Sequence, residues 1–390
     1  MAHTRRIAIS LEIDQPYPNH QEVFAGVLEY ANERGDWLCL IDEHPGYRAD
    51  TRGPHYRPYD GVIARANPQT QRRLEKLGVP LVNTHYQTSR PGLAGVYSDP
   101  EACGRLAAEH LIDRGFRRLS VLLDREHVHS AEIVQGFVRC AQERGVPCTE
   151  EFFPEHTYLD PAYWLSLEKF LIDWLERLEP PVGLFIELAG TARLLTQLGR
   201  ANGFHIPQDI AVLSRLNVKS VLEVSPQISS IDDNVTRVGY EAARLLDRLM
   251  SGEPVPDQPV LVPPRGIAAR ESTDYFAVED EVVAQALRFI SARLADPLRV
   301  DQVADAIAVS TRSLQKRFSE ALGRGVSEEI RRLRLETAKR MLAEPDRQIG
   351  RVARLTGFGS PDLMNQVFRR ELGMTPSAYR KTLAGERGAQ

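Results

Sequence analysis

Val300-Asp-Gln-Val-Ala-Asp-Ala-Ile-Ala-Val-Ser-Thr-Arg-Ser-Leu-Gln-Lys-Arg-Phe318 and Ile349-Gly-Arg-Val-Ala-Arg-Leu-Thr-Gly-Phe-Gly-Ser-Pro-Asp-Leu-Met-Asn-Gln-Val-Phe368 are two versions of one pattern. Each has a short helical stretch, a tight turn, a Ser able to cap a helix start, and a second helical stretch. Ser310 and Phe318 are eight apart, as are Ser360 and Phe368, and the copies close at Leu322-Gly323 and Leu372-Gly373. A short helix, a turn and a capped second helix with polar tips make the helix-turn-helix that reads DNA. One such copy also fits an ordinary helical bundle. Two in matching frame, closed alike, point to a DNA-reading domain.

Charge agrees with this. The chain of 390 residues carries 49 Lys+Arg and 53 Asp+Glu. From Glu279 onward there are 20 basic and 15 acidic residues, so the tail is net +5 and the remainder net −9. A basic tail on an acidic body suits a nucleic-acid module attached to something that does not bind nucleic acid. A length of 390 residues suggests two or three domains. No apolar stretch is long enough to span a membrane, and the start, Met1-Ala-His-Thr-Arg-Arg-Ile-Ala-Ile-Ser10, has no signal-peptide core. Cys39, Cys103, Cys140 and Cys148 lack C-x-x-C spacing, which fits reduced thiols in a cytoplasmic protein.

The front alternates strand and helix patterns. Arg6–Ile13, Trp37–Ile41, Tyr59–Ala64 and Pro80–Asn83 read as strands, and residues 20–34 and a segment around Leu74 and Leu77 as helices. Asp99 opens a helix that ends at Arg114-Gly115; then come a strand at Leu119–Leu123 and a helix at Ala131–Arg144, stopped by Gly145-Val-Pro147. Val182–Ile186, Ile210–Leu213 and Val260–Val262 are further strands; Thr191–Asn202 and Val238–Met250 are further helices. Such alternation predicts a parallel α/β domain that presents ligands at the carboxyl ends of its strands. The boundary falls between Asp274 and Glu281, giving an effector and dimerisation domain over 1–275 and a DNA-binding domain over 276–390.

In the tail, the helix 311–320 presents Arg312, Gln315 and Lys316 on one side, with Leu314 and Phe318 inward. The helix 361–371 presents Asp362, Asn365 and Gln366, with Met364, Val367 and Phe368 inward. Arg and Lys match guanine O6/N7, Gln and Asn match adenine N6/N7, and Asp accepts from cytosine N4. A helix over about 326–343 joins the two and sets their separation at about one DNA turn, roughly 34 Å. Arg331, Arg332, Arg334, Arg351 and Arg354 are the candidate phosphate contacts.

Gly357-Phe358, Phe368-Arg369-Arg370, Gly373-Met-Thr-Pro376 and Ala378-Tyr379-Arg380 resemble the closing signature of AraC-type DNA-binding domains, over about 280–382. The front is similar to LacI/GalR-type effector domains, which share the periplasmic sugar-binding fold. The resemblance rests on Asp60-Gly-Val-Ile63, Gly78-Val-Pro80, Ser98-Asp99 with Gly104 and His110-Leu111, Ile206-Pro-Gln-Asp-Ile210, and Gly239 with Ala242. Val260-Leu-Val-Pro-Pro264, Arg270-Glu-Ser-Thr-Asp-Tyr275 and Val300-Asp-Gln-Val303 resemble the junction of xylose operon regulators, which join these two parts. The resemblance implies a two-lobed, periplasmic-binding-protein-like α/β effector domain followed by an all-α double helix-turn-helix domain. It implies a homodimeric, cytoplasmic, nucleoid-associated transcription regulator that binds double-stranded DNA and has no membrane partner.

The resemblance departs at three positions. Sugar-binding relatives carry Arg where this chain has Ile133, and Asp where it has Ala189 and Leu216. Losing three hydrogen-bonding side chains leaves sugar hydroxyls unpaired, at about 1–3 kcal/mol each when buried. The effector expected is therefore not necessarily a sugar. The remaining polar candidates at the strand-end loops are Asp14, Tyr17, Asn19, His20, Arg65, His85, Glu187, Asn217 and Asp232. The alternative is a constitutive or partner-controlled regulator whose front serves only for dimerisation. Catalysis is not expected: no Gly-rich phosphate loop or nucleophile elbow is present, and His127 and His129 lack an acidic partner at metal-site spacing. No cofactor or metal is called for.

Overall fold

Short apolar runs such as Gly61-Val-Ile-Ala64 and Val182-Gly-Leu-Phe-Ile186 carry no alternation, as expected of strands covered on both faces, and both are buried throughout. A computed structural model of the chain describes residues 4–13, 18–45, 59–66, 71–74, 78–86, 89, 92–123, 128–152, 161–218, 222–223, 225–274, 278, 280–342 and 347–386. The chain divides into two units. The first comprises 1–105, 124–137 and 232–264; the second comprises 106–123, 138–231 and 265–390. No helix among the described residues is long and apolar enough to cross a membrane.

In chain order the front runs β1 (Arg5–Ser10), α1 (Pro18–Arg34), β2 (Trp37–Ile41), β3 (Gly61–Ala64), β4 (Leu81–Asn83), β5 (Val96–Ser98), α2 (Pro100–Asp113), β6 (Leu119–Leu123) and α3 (Val128–Glu143). It continues with β7 (Cys148–Phe152), α4 (Pro161–Arg177), β8 (Val182–Ile186), α5 (Ala189–Ala201), β9 (Ile210–Ser214), β10 (Ser229–Asp232), α6 (Val235–Met250), β11 (Val260–Val262) and β12 (Gly266–Ala268).

The first unit holds the sheet β2-β1-β3-β4, in which Ile7 pairs with Cys39 on one side and Gly61 on the other, both parallel. A bridge from Asn83 to Gly95 leads to the parallel pair β5-β11. The second unit holds β7-β6-β8-β9-β10-β12. Both follow one rule: the second strand lies outside the first, and the later strands add on the other side. That reversal creates a switch point at the strands' carboxyl ends, where parallel sheets bind ligands. Ile7, Ile9, Val27, Ile63 and Leu246 anchor the core of the first sheet, and Leu171, Trp174, Leu184, Ile186 and Val212 that of the second.

Two glycines set the helix packing in the first unit. A Cβ on Gly239 of α6 would lie 1.8 Å from the Val23 carbonyl oxygen of α1, and one on Gly104 of α2 would lie 1.9 Å from that of Ile133 in α3. Backbone cannot yield as a side chain can, so only glycine fits at these crossings.

The sequence reading leaves four strands and one helix without an element: β5, β7, β10, β12 and α4. It places the others to within a few residues. Of the helix expected around Leu74 and Leu77, residues 71–74 are helical and Leu77 lies outside the described residues.

The tail, part of the second unit, is all helical: α7 (Glu281–Ala292), α8 (Val300–Ala306), α9 (Thr311–Leu322), α10 (Val326–Leu342), α11 (Ile349–Leu355), α12 (Pro361–Leu372) and α13 (Pro376–Glu386). It has two small cores. Val283, Leu287, Ile290, Leu314 and Phe318 form one with Val326 and Ile330 of α10. Leu335, Ala338 and Leu342 of α10 form the other with Val352, Met364 and Phe368. One 17-residue helix thus supplies both cores and ties the two repeats together.

Candidate nucleic-acid interface and strand-end residues

α8–α9 and α11–α12 are the two helix-turn-helix repeats. The Ser310 hydroxyl accepts from the Ser313 amide at 3.2 Å and the Ser360 hydroxyl from the Leu363 amide at 3.3 Å, so both second helices start on the cap their sequence provides. Both end on a left-handed glycine, Gly323 and Gly373, each at φ 70°. The turns differ by one residue, and in the longer one Gly357 has φ 77°, with room for no Cβ: it would lie 2.2 Å from the Leu294 carbonyl oxygen.

Leu314 and Phe318 of α9, and Met364 and Phe368 of α12, are fully buried. Arg312, Gln315 and Lys316 are exposed, as are Asp362 and Gln366, while Asn365 is half-buried. Counted from their capping serines, the six occupy the same three positions of the two helices. The surface they make is polar, carries hydrogen-bond donors and acceptors, and is held on rigid elements, as base readout requires.

The five arginines separate. Arg351 and Arg354 are exposed on α11. Arg331 lies 3.8 Å from Glu371 and lines a groove of about 460 Å³ between α10 and α12, together with Arg370, which the sequence reading does not single out. Arg332 and Arg334 are both engaged within the protein. Arg334 donates to the Leu294 carbonyl at 3.1 Å and to the Asp296 carbonyl at 2.6 Å. Arg332 donates to Glu329 at 2.9 Å through both Nε and Nη2, and through Nη1 to Asp113 at 2.7 Å. Residue 332 lies about 100° around the helix from 331 and reaches Asp113, whereas Arg334 shares the groove side with Arg331 but has its guanidinium drawn to the two carbonyls.

Glu329 is 1% exposed and also accepts from Arg324. Burial pushes its carboxyl up, but the hydrogen bonds and charges of Arg332 and Arg324 outweigh that and hold it below the usual range. Burial acts against the charge on Arg332 too, and Glu329 and Asp113 more than compensate.

The strand-end candidates are placed unit by unit. In the first, His20 is buried in the first turn of α1 with Nδ1 3.1 Å from the Glu12 carbonyl oxygen, and burial is the main cause lowering its pKa. Asn19 beside it is half-buried. Arg65, just past β3, has Nε 3.7 Å from Glu12. The His85 amide, past β4, donates to Asn83 Oδ1 at 2.9 Å. Asp232, ending β10, accepts from the Asn234 amide at 3.1 Å. Asp14 and Tyr17 lie outside the described residues.

In the second unit, Glu187 follows β8, is 1% exposed, and lies 3.8 Å from Arg215. Asn217, past β9, accepts through Oδ1 from Ser230 at 2.9 Å and from Arg270 at 2.8 Å. The sequence reading names neither Arg215 nor Arg270, and nothing local signals them, because their partners lie far along the chain. Ala189 belongs to the apolar core of this unit, and Leu216 packs against it. In the first unit Ile133 is fully buried. Ile133, Ala189 and Leu216 are thus all apolar and packed.

Two sequence families match the chain: one described as periplasmic binding protein-like domain over residues 108–273, and one described as helix-turn-helix domain over 303–382. The chain is similar to the xylose operon regulatory protein of Escherichia coli (strain K12), 28% identical over 395 residues, which cover 97% of each protein. It is similar to the protein of the same name from Haemophilus influenzae, 26% identical over 96% of this chain and 98% of that one. Among solved structures, a xylose-binding transcription activator is 27% identical with a TM-score of 0.58, over 97% of this chain and 98% of that one. The chain therefore joins a periplasmic-binding-protein-like α/β domain to a C-terminal helix-turn-helix domain.

Proposed function

We propose that this DNA-binding transcription regulator, similar along its length to xylose operon regulators, reads two successive major-groove segments with α9 and α12, and that its front responds to a small molecule other than xylose. The observation that carries the DNA reading is the matched placement of Arg312, Gln315 and Lys316 with Asp362, Asn365 and Gln366 on two identically capped helices. Arg351 and Arg354, with Arg331 and Arg370 beside the groove, are the cations we assign to the phosphates. The genes controlled are carbohydrate-related, by likeness to the regulators named above. The boundary between effector and DNA-binding parts lies at 275/276, between the two family matches, and the protein works in the cytoplasm, at the nucleoid when DNA-bound.

Selection of duplexes from a random library by the full-length chain, followed by affinity measurement, tests the reader assignment. Arg312→Ala is expected to relax preference at one base position, at a cost of about 1–3 kcal/mol on the preferred sequence. Arg351→Ala is expected to weaken all sequences alike and to flatten the salt dependence by about one counterion. Uniform weakening by both would remove Arg312 from base readout.

We assign the front domain the role of dimerisation, because two tails give four readers and a longer, more selective site. Light scattering of the full chain at micromolar concentration is expected to give twice the chain mass; the monomer mass would rule this out. The second reading, a regulator whose front no longer takes a ligand, is favoured by Ile133, Ala189 and Leu216 and is separated from the first by thermal shift. A ligand that binds only the folded state raises the midpoint at saturation, whereas a domain without a site gives no shift across a panel of polar metabolites.

A further inference from the structure

The helix that joins the two readers also meets the front domain within the second unit. α10 turns Ser327, Arg331 and Arg334 toward the groove beside α12. It turns Leu333, Thr337 and Met341 toward a second cavity of about 420 Å³, walled on the far side by His110, Asp113 and Arg114 at the end of α2. Beside that cavity stands the 2.7 Å ion pair of Arg332 with Asp113, whose side chain is only 11% exposed.

A hydrogen-bonded chain begins at Arg114, joined to the pair by the peptide bond to Asp113, and runs into the sheet. Arg114, next to Asp113, donates through Nε to the Thr273 carbonyl at 2.5 Å, and its Nη1 is 3.1 Å from His110 Nδ1. His110 Nε2 is 2.9 Å from Thr273 Oγ1, which is 2.6 Å from Ser229 Oγ. Ser229 Oγ accepts from the Arg270 amide at 2.8 Å, and Arg270 Nη2 donates to Asn217 at 2.8 Å. Ser229 and Thr273 are fully buried and His110 nearly so. In such surroundings each broken link strands a desolvated polar group, so the members shift together or not at all. Asn217, at the far end, stands just past the carboxyl end of β9, where a parallel sheet presents ligands.

We propose that Asp113 is a positioning residue for DNA reading: its ion pair with Arg332 carries the state of the β9 end, through the Asn217–Arg270–Ser229–Thr273–His110 chain, to the helix that spaces the two readers. The proposal rests on α9 and α12 being those readers. Asp113 contacts no DNA in this role. The cavity beside the pair gives α10 room for a second arrangement, and packed helices move between discrete arrangements rather than bend continuously.

A double-mutant cycle on the full-length chain tests this without an effector. The probe is a duplex selected by the wild-type chain, and affinity is read for wild type, Asn217→Ala, Asp113→Asn and the double variant. Asn217→Ala is expected to change DNA affinity about fivefold or more in the wild-type background and less than about twofold beside Asp113→Asn. Asp113→Glu, which keeps the charge, restores the sensitivity. If Asp113→Asn does not fold, Arg332→Lys, which keeps the charge but loses the fork, replaces it in the cycle with the same expectation. An equal change in both backgrounds, or none in either, overturns the coupling. Failure of the wild-type chain to select any duplex overturns the reader assignment, and the coupling with it.

Discussion

Glu329→Gln is expected to destabilise the protein by about 2–4 kcal/mol at neutral pH. Glu329 is 1% exposed and holds two arginines, Arg324 and Arg332. Removing its charge leaves two cations facing one another with no anion between them. Breaking a buried pair from one side costs about 3–5 kcal/mol, because the abandoned charge keeps its desolvation penalty. The lower figure applies because the Arg324 and Arg332 side chains are 30% and 23% exposed and retain some water, and because Asp113 still balances Arg332. The pH dependence has a definite sign. The folded carboxyl titrates below its unfolded value, so its stabilisation is complete above the unfolded carboxylate range, near about pH 4.3, and is lost as pH falls through the depressed folded value. The gap between wild type and variant should therefore be widest at neutral pH and close on acidification. Urea unfolding of both proteins at pH 7 and at about pH 2, well below the unfolded carboxylate value, measures it; a gap that is small at pH 7 or constant with pH would mean that Glu329 does not hold the two arginines together.

The same residues show what a sequence can and cannot disclose here. The readers are legible because everything that makes them is local. Ser310 and Ser360 cap from within the helix they start, Gly323 and Gly373 end it, and the apolar spacing picks the buried face. The central strands Leu119–Leu123 and Val182–Ile186, and the edge strand Trp37–Ile41, are legible for a related reason: they are mostly apolar runs with clear ends. β7, Cys-Thr-Glu-Glu-Phe, is a sheet-edge strand with Thr149 and Glu150 exposed, so its composition looks like a loop. β10, Ser-Ser-Ile-Asp, is buried by polar residues whose partners are Ser272, Thr273 and Arg270, some forty positions on. The arginines fail in the same way. Nothing in Arg331-Arg332-Leu-Arg334 says which one meets solvent, because Asp113 is 219 positions from Arg332 and the Leu294 carbonyl is 40 from Arg334. Among the strand-end residues, sequence position marks where Glu187 and Asn217 lie, at the carboxyl ends of β8 and β9. It does not show that Arg215 stands beside the first and that Arg270 is bonded to the second.

D-xylose is expected to bind the full chain no more tightly than roughly 1 mM, about −4 kcal/mol, although a xylose-binding transcription activator is 27% identical over 97% of this chain. A pentose offers a ring of hydroxyls and little apolar surface, so its affinity depends on side chains that pair those hydroxyls in fixed directions. Ile133, Ala189 and Leu216 supply none. The first two are buried, and Ala189 and Leu216 contribute to or pack against the apolar core of their unit, so the change is built into the packing and is not a surface substitution. The polar groups nearby are already engaged: Oδ1 of Asn217 takes hydrogen bonds from both Arg270 and Ser230, and Glu187 lies beside Arg215. Turning either toward a sugar would require breaking a buried interaction, which offsets most of what the new hydrogen bond contributes. Each hydroxyl left unpaired costs about 1–3 kcal/mol, so three lost partners cost about 3–9 kcal/mol, a range that spans the roughly 4 kcal/mol between micromolar and millimolar binding. Calorimetric titration of D-xylose into the full chain is the direct measurement. Heat that saturates at micromolar sugar would show that Asp14, Glu187 or Asn217 has taken over the lost contacts. In that case substitution of whichever residue has taken over, as in Glu187→Gln or Asn217→Ala, should weaken the newly found binding by at least about tenfold, a loss of about 1.4 kcal/mol.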